Sequence, residues 1–593
     1  MALPERRVIL QSGETLDLQG SYFQDDKRKL LVLTEPMKNS ATYDYIIVGA
    51  GSAGCALANR LTEDAGTRVL LLEAGGWDRN PLIHIPLGWG KIFQDRLYDW
   101  GYFAEPEPVL NGRGVECARG KVIGGSSSVN ALFYVRGHRG DYERWASGGL
   151  PSWSFQHVLP YFKRQETWEG GANAYRGGSG PLSTQYSYYA DPLVKAYLEA
   201  GKQAGHPATD DYNGAQQEGF CVAQVTVRNG RRCSAAVAYL RPALGRKGLR
   251  VETGALVSNL LIERSRVVGL VYEQGGETTR TVHAEREVLL CAGAINSPQI
   301  MMLSGVGDPE ELARFNIRTQ VSLAGVGRNL RDHFTTAIEY RRREPGPFRH
   351  HMRLDRAAVS MAQAYFFGTG YATELPSGWT AFLKSGPEQK LPDLQLIIRA
   401  GPPGGDVYLP PFKPAFADGF LTRAALLRPE STGRVRLASA NPRHPIRIHF
   451  NPLAAEADWR ALRAGLRLIR ELGRQRALSP FVDKELAPRP DETSDDALNA
   501  HIRSSLVTAH HPCGTCRMGR DDDDLAVVDE RLRVRGLDGL RVIDASVFPD
   551  LIGGNINAVV IMIAEKAADL IRGREPPAEE VPADERRVVA PVP

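Results

Sequence analysis

Two adjacent histidines near the end of the chain have the chemistry of a general base. His510 and His511 precede Pro512 in a stretch of turn-forming residues, Thr508–Gly519. Such a loop can project an imidazole into a cavity, and an imidazole, which titrates near neutral pH, is the usual acceptor of a hydroxyl proton. Asn555 follows 44 residues later, and its amide could orient an oxygen atom. Either residue considered alone is also compatible with a purely structural role.

Three glycines near the start of the chain have the spacing of a phosphate-binding turn. Gly49, Gly51 and Gly54 form the pattern G-x-G-x-x-G. The first glycine permits a tight turn, the second lets the backbone approach a pyrophosphate, and the third lets a helix pack closely on the preceding strand. Glu73 lies 19 residues after the last glycine, where a pair of ribose hydroxyls needs an acceptor. This spacing predicts a dinucleotide site, and an ordinary βαβ turn is the alternative. The fingerprint alone does not distinguish NAD from FAD.

The elements that must position these residues follow from the spacing of apolar side chains. Tyr45–Val48 and Thr67–Leu72 are short apolar runs typical of buried parallel strands, and Ser52–Glu63 between them is predicted to be a helix. This helix directs its N-terminal N–H groups and the positive end of its dipole towards a bound phosphate. Near the other end of the chain, a strand at Leu540–Ile543 and a helix at Ile561–Arg572 flank the loop that carries the asparagine.

Two kinds of sequence alternate along the chain and predict its domain organisation. The predicted fold class is α/β, with a Rossmann-like cofactor domain assembled from discontinuous segments and an inserted α+β substrate domain containing an antiparallel sheet. The cofactor domain is predicted at 41–150, 236–332 and 501–575, and the substrate domain at 151–235 and 333–500. Residues 1–40 are an N-terminal extension that either forms a hairpin or is partly disordered. Residues 576–593 are predicted to be a flexible tail.

Composition limits the function classes that remain. The 593 residues carry a net charge of +4, and the 73 basic residues are spread along the chain, so nucleic-acid binding is not expected. No apolar run is long enough to span a membrane, and the N-terminus lacks the apolar region of a secretory signal. Seven cysteines are few for this length, and C-x-x-C at Cys513–Cys516 has no second pair to complete a metal site. A reduced, cytoplasmic protein without a metal is expected.

Taken together, the motifs resemble the glucose–methanol–choline (GMC) family of flavin-dependent oxidoreductases. The resemblance covers about residues 41–573 in order, and Pro81–Pro86 and Tyr134–His138 are similar to its bacterial alcohol and choline dehydrogenase branch. It is carried by Val48–Cys55, Gly120–Asn130, Gly293–Gln299, Ser304–Gly307, Gly325–His333, His511–Gly519, Val542–Pro549, Asn555–Ala558 and Met562–Leu570.

The resemblance implies FAD as the cofactor and assigns roles to individual residues. His511 matches the family's active-site histidine, and Asn555 matches its partner, which is His or Asn among members. Matches to positions that contact FAD are Ser52, Glu73, Val122, Gly125, Asn130, Val257, Ala292, Asp544 and Ala545. At the position of a histidine that bonds covalently to the flavin in some choline-oxidising members this chain has Val129, so non-covalent FAD is expected.

The implied reaction is oxidation of a primary alcohol to an aldehyde. His511 would accept the hydroxyl proton, Asn555 would hydrogen-bond the alcohol oxygen, and a hydride would pass to flavin N5. The electron acceptor is expected to be a quinone or a similar compound, with an oxidase that uses O₂ and releases H₂O₂ as the alternative. A hydroxynitrile-type lyase or a non-catalytic flavoprotein is the alternative from another class.

Several properties stay open at the level of sequence. His510, next to the expected base, either lines the substrate pocket, which would favour a polar or aromatic alcohol, or packs against protein. Recognition of choline would need an aromatic cage and a carboxylate for the ammonium group, and the sequence does not establish one. The identity of the alcohol, the oligomeric state and a peripheral membrane contact are likewise open.

Overall fold

The computed structural model describes residues 41–276, 278–574 and 578–579, together with the backbone of two short strands near the N-terminus. Residues 1–40 and 41–593 are each a compact unit. In the first unit Arg7–Ile9 pairs antiparallel with Thr15–Asp17, as the hairpin alternative predicts. The flexible tail expected at 576–593 lies outside the described residues except for positions 578 and 579.

A mixed sheet of seven strands carries the glycine fingerprint. The parallel core forms because Ile46, Ile47 and the run Val69–Leu72 are almost fully buried on both faces of the sheet. Strands on one side of this core continue as an antiparallel extension. The strand order is Leu249–Thr253, Val69–Glu73, Thr42–Val48, Thr278–Leu290, Arg266–Gln274 and Ala255–Glu263, with Leu540–Val542 also paired to Thr278–Leu290.

A second sheet of seven strands is antiparallel throughout. Helix Glu456–Gly473 packs on one of its faces, which confirms the expected antiparallel sheet backed by helices. The strand order is Val482–Ala487, Phe334–Arg342, Gly419–Leu426, Leu394–Arg399, Trp379–Leu383 and Gly219–Val222, with Val507–Thr508 also paired to Phe334–Arg342. The exact boundaries of the two domains stay a prediction, because residues 41–593 cluster as a single unit.

Helices cover the faces of both sheets, and short two- and three-stranded pairings close the loops. The shorter strands are Glu166–Trp168, Leu182–Tyr186, Gln224–Val225, Val227–Arg228, Arg231–Arg232, Val306–Gly307, Val321–Ser322, Arg434–Arg436 and Arg447–His449. The α-helices are Ser52–Leu61, Pro81–His84, Trp89–Gln94, Arg139–Ser147, Phe155–Gln165, Pro192–Gln203, Arg241–Ala243, Gly293–Leu303, Pro309–Ala313, Pro347–His351, Leu354–Phe367, Glu456–Gly473, Asp495–Ser505 and Asn557–Ile571.

The last helix begins earlier than its sequence predicts. It starts at Asn557 rather than Ile561, because Ala558–Val560 are as buried as the residues that follow and continue the same packed surface. Asn555 is therefore only two residues before the helix. The apolar run by itself does not mark this start, since Ile556, the N-cap residue, supplies no side-chain cap.

A buried carboxylate fixes this last helix against the fingerprint helix. Glu565 is fully buried and accepts hydrogen bonds from Arg60, Arg164 and the hydroxyl of Tyr239 at 2.8 Å each. Arg60 belongs to helix Ser52–Leu61, so the ion pair joins the phosphate-binding turn to the helix that follows Asn555. Removing one member of such a buried charge cluster is strongly destabilising, which makes the relative position of the two helices well defined.

Two further findings concern the state of the cysteines and the character of the helices. All seven cysteines are buried free thiols, and burial raises the pKa of Cys513 and Cys516 well above the usual range. Among the residues that the structure describes, no helix combines the length and the apolar character needed to cross a bilayer. The cytoplasmic location stays a prediction.

Candidate active site

A cavity of about 580 Å³ brings together most of the residues singled out in the sequence. It is lined by the fingerprint turn, by the stretch that contains Gly125 and Asn130, and by one face of the second sheet. The loop that contains His511 and the loops that contain Asp544 and Asn555 complete the lining. Gly54 and Val122 are not part of the lining. The predicted residues that line it are Gly49, Gly51, Ser52, Glu73, Gly125, Asn130, Val257, Ala292, Asp544, Ala545, His510, His511 and Asn555.

The three fingerprint glycines differ in what surrounds them. Gly49 has φ +98°, and a Cβ there would lie 2.6 Å from the carbonyl oxygen of Cys291, so only glycine fits this turn. A Cβ at Gly54 would lie 1.9 Å from the carbonyl oxygen of Gly49, which is the close contact of helix with strand that the pattern predicts. A Cβ at Gly51 would meet no atom within 4 Å and would project into the cavity.

Two buried carboxylates border the same part of the cavity. Glu73 accepts hydrogen bonds from the backbone N–H of Ala50 (2.9 Å) and of Gly75 (2.8 Å). Asp544 accepts from the N–H of Gly293 at 2.8 Å and from the hydroxyl of Ser297 at 2.6 Å. Burial raises the pKa of both carboxyl groups, that of Glu73 to about 7. The sequence prediction placed Glu73 correctly at the end of its strand, next to the fingerprint turn.

His511 lies at the centre of a hydrogen-bonded chain of side chains. Its Nδ1 is 2.9 Å from Nδ1 of His333, and its Nε2 is 3.1 Å from Nδ2 of Asn555. The other ring nitrogen of His333, Nε2, is 3.0 Å from the carbonyl oxygen of Ile552. The backbone N–H of His511 donates to Oδ1 of Asp332 at 2.8 Å, which fixes the loop that carries the ring.

The hydrogen bonds around His511 permit one arrangement of protons when the rings of His333 and His511 are both neutral. The carbonyl of Ile552 can only accept, so His333 carries its proton on Nε2 and presents a lone pair at Nδ1. His511 must therefore donate from Nδ1 to His333, which leaves the lone pair of His511 on Nε2. That lone pair accepts from the amide of Asn555. Nε2 of His511, at the cavity surface, is thus the basic atom of the pair.

The second sheet continues the chain beyond Asn555. Gln395 donates from Nε2 to Oδ1 of Asn555 at 3.4 Å, and it also donates to the hydroxyl of Thr380 at 3.2 Å. The hydroxyl of Thr380 in turn donates to a backbone carbonyl. This sequence of donors fixes the amide orientation of Asn555, with its nitrogen towards His511 and the cavity.

Burial keeps the imidazoles of this site neutral. It lowers the pKa of His511 well below the usual range, with smaller contributions from His333 and Arg119, and it lowers the pKa of His333 to about 4. The pKa of Asp332 is raised to about 7 by burial. A neutral His511 with a free lone pair is a group ready to accept a proton from a substrate hydroxyl.

His510 both contacts protein and lines the cavity. Its backbone has φ +62°, and its Nδ1 accepts a hydrogen bond from the N–H of Ala118 at 3.3 Å. The ring packs edge-on against Phe93, with ring centres 5.5 Å apart. Burial lowers the pKa of His510 to about 3. Both alternatives considered for this residue therefore describe part of its environment.

Three residues of the hydrogen-bonded network around His511 were not predicted from the sequence. His333 and Asp332 lie in the motif Gly325–His333, which carried the family resemblance without a role for either side chain. Gln395 lies in an apolar strand with no motif, and only the pairing of Leu394–Arg399 with its neighbours brings it to Asn555. A search for polar residues inside apolar strands would have found it.

Family models of known proteins match the chain over both parts of this site. The model described as GMC oxidoreductase matches residues 43–335 in its N-terminal form and 429–564 in its C-terminal form. The chain belongs to the GMC oxidoreductase family. It is accordingly an FAD flavoprotein and an oxidoreductase acting on CH–OH donors, and the resemblance inferred from its motifs is confirmed.

Relatives from this family match nearly the whole chain. The chain is 43% identical over 548 residues to the oxygen-dependent choline dehydrogenase of Chromohalobacter salexigens, covering 91% of this chain and 96% of that protein. It is 42% identical over 541 residues to the mitochondrial choline dehydrogenase of Mus musculus, with 90% and 89% covered. The crystal structure of pyridoxine 4-oxidase from Mesorbium loti superposes with a TM-score of 0.80 at 32% identity, with 90% and 100% covered.

The cavity of this GMC oxidoreductase fits FAD. Helix Ser52–Leu61 begins at the cavity with Gly51 as its N-cap residue, without a side-chain cap and without an acidic residue in its first turn, so its N–H groups are available to phosphate. A Cβ at Gly293, as at Gly51, would meet no atom within 4 Å, which leaves the backbone open to close approach. Glu73 lies at the same end and offers a carboxylate to ribose hydroxyls.

Proposed function

We propose that this GMC oxidoreductase oxidises a primary alcohol to an aldehyde, with His511 as the base. The observation that carries the proposal is the one arrangement of protons described above, which leaves a lone pair on Nε2 of a buried, neutral His511 at the cavity surface. An alcohol that enters the cavity can donate its O–H to this lone pair in place of the amide of Asn555.

Asn555 is suited to hold the alcohol oxygen in that geometry. Its Nδ2 carries two N–H groups and lies 3.1 Å from Nε2 of His511, so an oxygen that accepts from the amide lies beside the base. When bound, FAD supplies the acceptor for the hydride that leaves the carbinol carbon. The proton goes to His511 and the two electrons leave with the hydride, so the alcohol loses two hydrogens and becomes an aldehyde. Proton transfer by a positioned base contributes about 10²–10⁴-fold to such a rate.

The electron acceptor is proposed to be a quinone or a similar compound, with O₂ as the second candidate. O₂ is kept as a candidate because several relatives are oxygen-dependent choline dehydrogenases. Anaerobic reduction of the enzyme by alcohol, followed by rapid mixing with O₂ or with a quinone, compares the two rates of flavin reoxidation directly. Failure of every alcohol tested to bleach the flavin anaerobically would instead favour the lyase or the non-catalytic flavoprotein.

Replacement of His333 with leucine should slow flavin reduction by alcohol about 10- to 100-fold, because His511 loses the acceptor that fixes its tautomer and ring orientation. Stopped-flow absorbance under anaerobic conditions measures this rate. His333→Gln is the matched variant, since a glutamine oxygen can accept from His511 and its amide can donate to Ile552. Recovery of much of the rate in the glutamine variant supports a positioning role, and equal losses in the two variants contradict it.

Non-covalent attachment of FAD is expected, because Val129 offers no nucleophilic atom at the lining of the cavity. Acid precipitation of the purified enzyme should release all of the flavin into the supernatant, as measured by its absorbance. A yellow protein pellet would show a covalent bond at another residue. FAD modification has been examined in the solved structure of formate oxidase from Aspergillus oryzae, which is 25% identical to this chain, so the flavin released here should also be identified by mass.

A further inference from the structure

One face of the second sheet forms a wall of the cavity. Side chains point alternately to the two faces of a strand, and the residues of three neighbouring strands that line the cavity alternate accordingly, with Ile398 as the exception. These residues are Thr335 on the first strand, Gln395, Ile397 and Arg399 on the second, and Leu421, Arg423 and Ala425 on the third. The cross-strand register places Thr335 and Gln395 opposite Ala425, and Ile397 opposite Arg423.

Two guanidinium groups on this wall lack a carboxylate partner. Arg423 donates one hydrogen bond, from Nη1 to the hydroxyl of Thr335 at 3.2 Å. The guanidinium group of Arg399 makes no hydrogen bond and no ion pair with any residue that the structure describes. Burial lowers the pKa of both side chains, that of Arg423 to about 10 with a further contribution from Arg399. The acid that acts on both is Glu339, which is not part of the lining and lies beyond ion-pair distance.

The acidic groups that line the cavity are all engaged elsewhere. Asp99 and Glu116 pair with Arg96 at 2.9 and 3.0 Å. The carboxylates of Glu73 and Asp544 accept backbone N–H groups at the end of the cavity expected to hold the cofactor. No carboxylate of the lining is therefore available to neutralise the sheet arginines, and this wall carries unpaired positive charge in a mostly apolar space. Buried charges are normally paired, so the absent partner is expected to arrive with a ligand.

We infer that this enzyme takes alcohols that carry a carboxylate at the end remote from the carbinol, with Arg423 and Arg399 binding the carboxylate. The inference rests on the proposed function, because the alcohol end is placed at His511 and Asn555. Gln395, which contacts Asn555, is two residues from Ile397 and four from Arg399 along one strand, or about 7 and 13 Å at 3.3 Å per residue. Arg423 lies opposite Ile397, at the nearer of these two positions, and a spacer of about the length of an aromatic ring or a short alkyl chain spans the shorter distance.

The same wall disfavours a cationic alcohol. An ammonium group directed at the sheet would lie beside two guanidinium groups instead of a carboxylate. Arginine forms bidentate hydrogen bonds with a carboxylate, which adds orientation as well as attraction. The substrate class inferred here therefore differs from choline, the substrate for which the choline dehydrogenase relatives are named.

The test compares an anionic, a neutral and a cationic alcohol with the FAD-loaded enzyme under anaerobic conditions: 4-(hydroxymethyl)benzoate, benzyl alcohol of the same ring size, and choline. Flavin reduction by 4-(hydroxymethyl)benzoate is expected to be at least about 100-fold more efficient than by benzyl alcohol, mostly through tighter binding. In Arg423→Gln and Arg399→Gln that advantage should fall about tenfold or more, while reduction by benzyl alcohol changes little. Arg423→Lys should recover part of the advantage because it keeps the charge.

Arg460→Gln is the matched control, since this exposed arginine lies on the helix packed against the sheet and outside the cavity. It should leave the preference for the anionic alcohol unchanged, and thermal unfolding checks that each variant is folded. Equal efficiencies for the anionic and the neutral alcohol in the wild type, or a preference that survives both glutamine variants, would overturn the inference.

A binding measurement separates this inference from the proposed reaction. Calorimetric titration with benzoate, which has no carbinol to oxidise, should show binding to the wild type and its loss in the double variant Arg399→Gln/Arg423→Gln. Benzoate that binds this way while no alcohol bleaches the flavin would retain the anion site and reject the proposed function. Benzoate that fails to bind the wild type, or that binds the double variant equally well, would overturn the anion site even if benzyl alcohol is oxidised.

Discussion

Replacing His511 with alanine is expected to lower the rate of flavin reduction by alcohol about 10²–10⁴-fold while FAD stays bound. The alanine removes the only lone pair that the hydrogen-bonded chain presents to the alcohol proton, and without a base the proton must pass to water. The chain of donors on either side stays in place, because His333 keeps its bond to Ile552 and Asn555 keeps its bond to Gln395. The loss should therefore appear in the rate of reduction and not in the flavin content.

The measurement is anaerobic stopped-flow reduction at saturating alcohol, with the flavin content taken from the ratio of visible to ultraviolet absorbance. His157→Ala is the control, since this histidine lies outside the cavity and its ring bonds only to the hydroxyl of Ser154 among the described residues. It should reduce at the wild-type rate. A His511→Ala enzyme that matches the control would remove His511 from the role of base and leave the proton to another group.

Replacing Gly51 with valine is expected to abolish retention of FAD without unfolding the protein. A Cβ at this position meets no protein atom within 4 Å and enters the space next to the uncapped N-terminus of helix Ser52–Leu61. The pyrophosphate would then be held away from the helix N–H groups. A hydrogen bond to a charged group contributes about 1.5–3 kcal/mol, so the loss of two corresponds to about 100-fold or more in affinity.

Flavin content after gel filtration and the dissociation constant of FAD for the apoprotein measure this effect. Gly66→Val is the control in the same βαβ unit, because a Cβ there also meets nothing within 4 Å but lies on the exposed turn before the second strand. Gly54→Val should behave differently from both, since its Cβ would collide with the carbonyl of Gly49 and destabilise the fold itself. A Gly51→Val enzyme with full flavin content would show that the pyrophosphate lies elsewhere.

The sequence predicted strands and helices well where the local pattern and the tertiary packing of a segment agree. The strand before Gly49 and the helix after Gly51 are found within a few residues of their predicted bounds, because buried parallel strands and a glycine turn leave a dense local signal. The amphipathic spacing of helix Glu456–Gly473 is a local signal of the same kind. Prediction was weaker at the last helix, where residues Asn557–Val560 are helical through packing against neighbours that the local sequence does not reveal.

The candidate site was predicted only where a motif marks it. His511 and Asn555 were identified, and the structure places Nε2 of His511 3.1 Å from Nδ2 of Asn555. No motif marks Arg399 and Arg423. A search for polar residues inside apolar strands would have found them with Gln395, but only the pairing of the strands shows that they share one face. Their significance depends on the absence of a carboxylate beside them, and a linear sequence does not record which charges are neighbours in space.

The chain of side chains around His511 also determines the order in which the enzyme returns to its starting state. It ends at one side on the carbonyl of Ile552, which has no proton to pass on. On the other side it runs through the amides of Asn555 and Gln395, which do not exchange protons in catalysis, to the hydroxyl of Thr380. A proton taken up at Nε2 of His511 therefore cannot leave through these hydrogen-bonded side chains. It can leave only through the cavity from which the alcohol came, so deprotonation of the base and departure of the aldehyde share one opening to solvent.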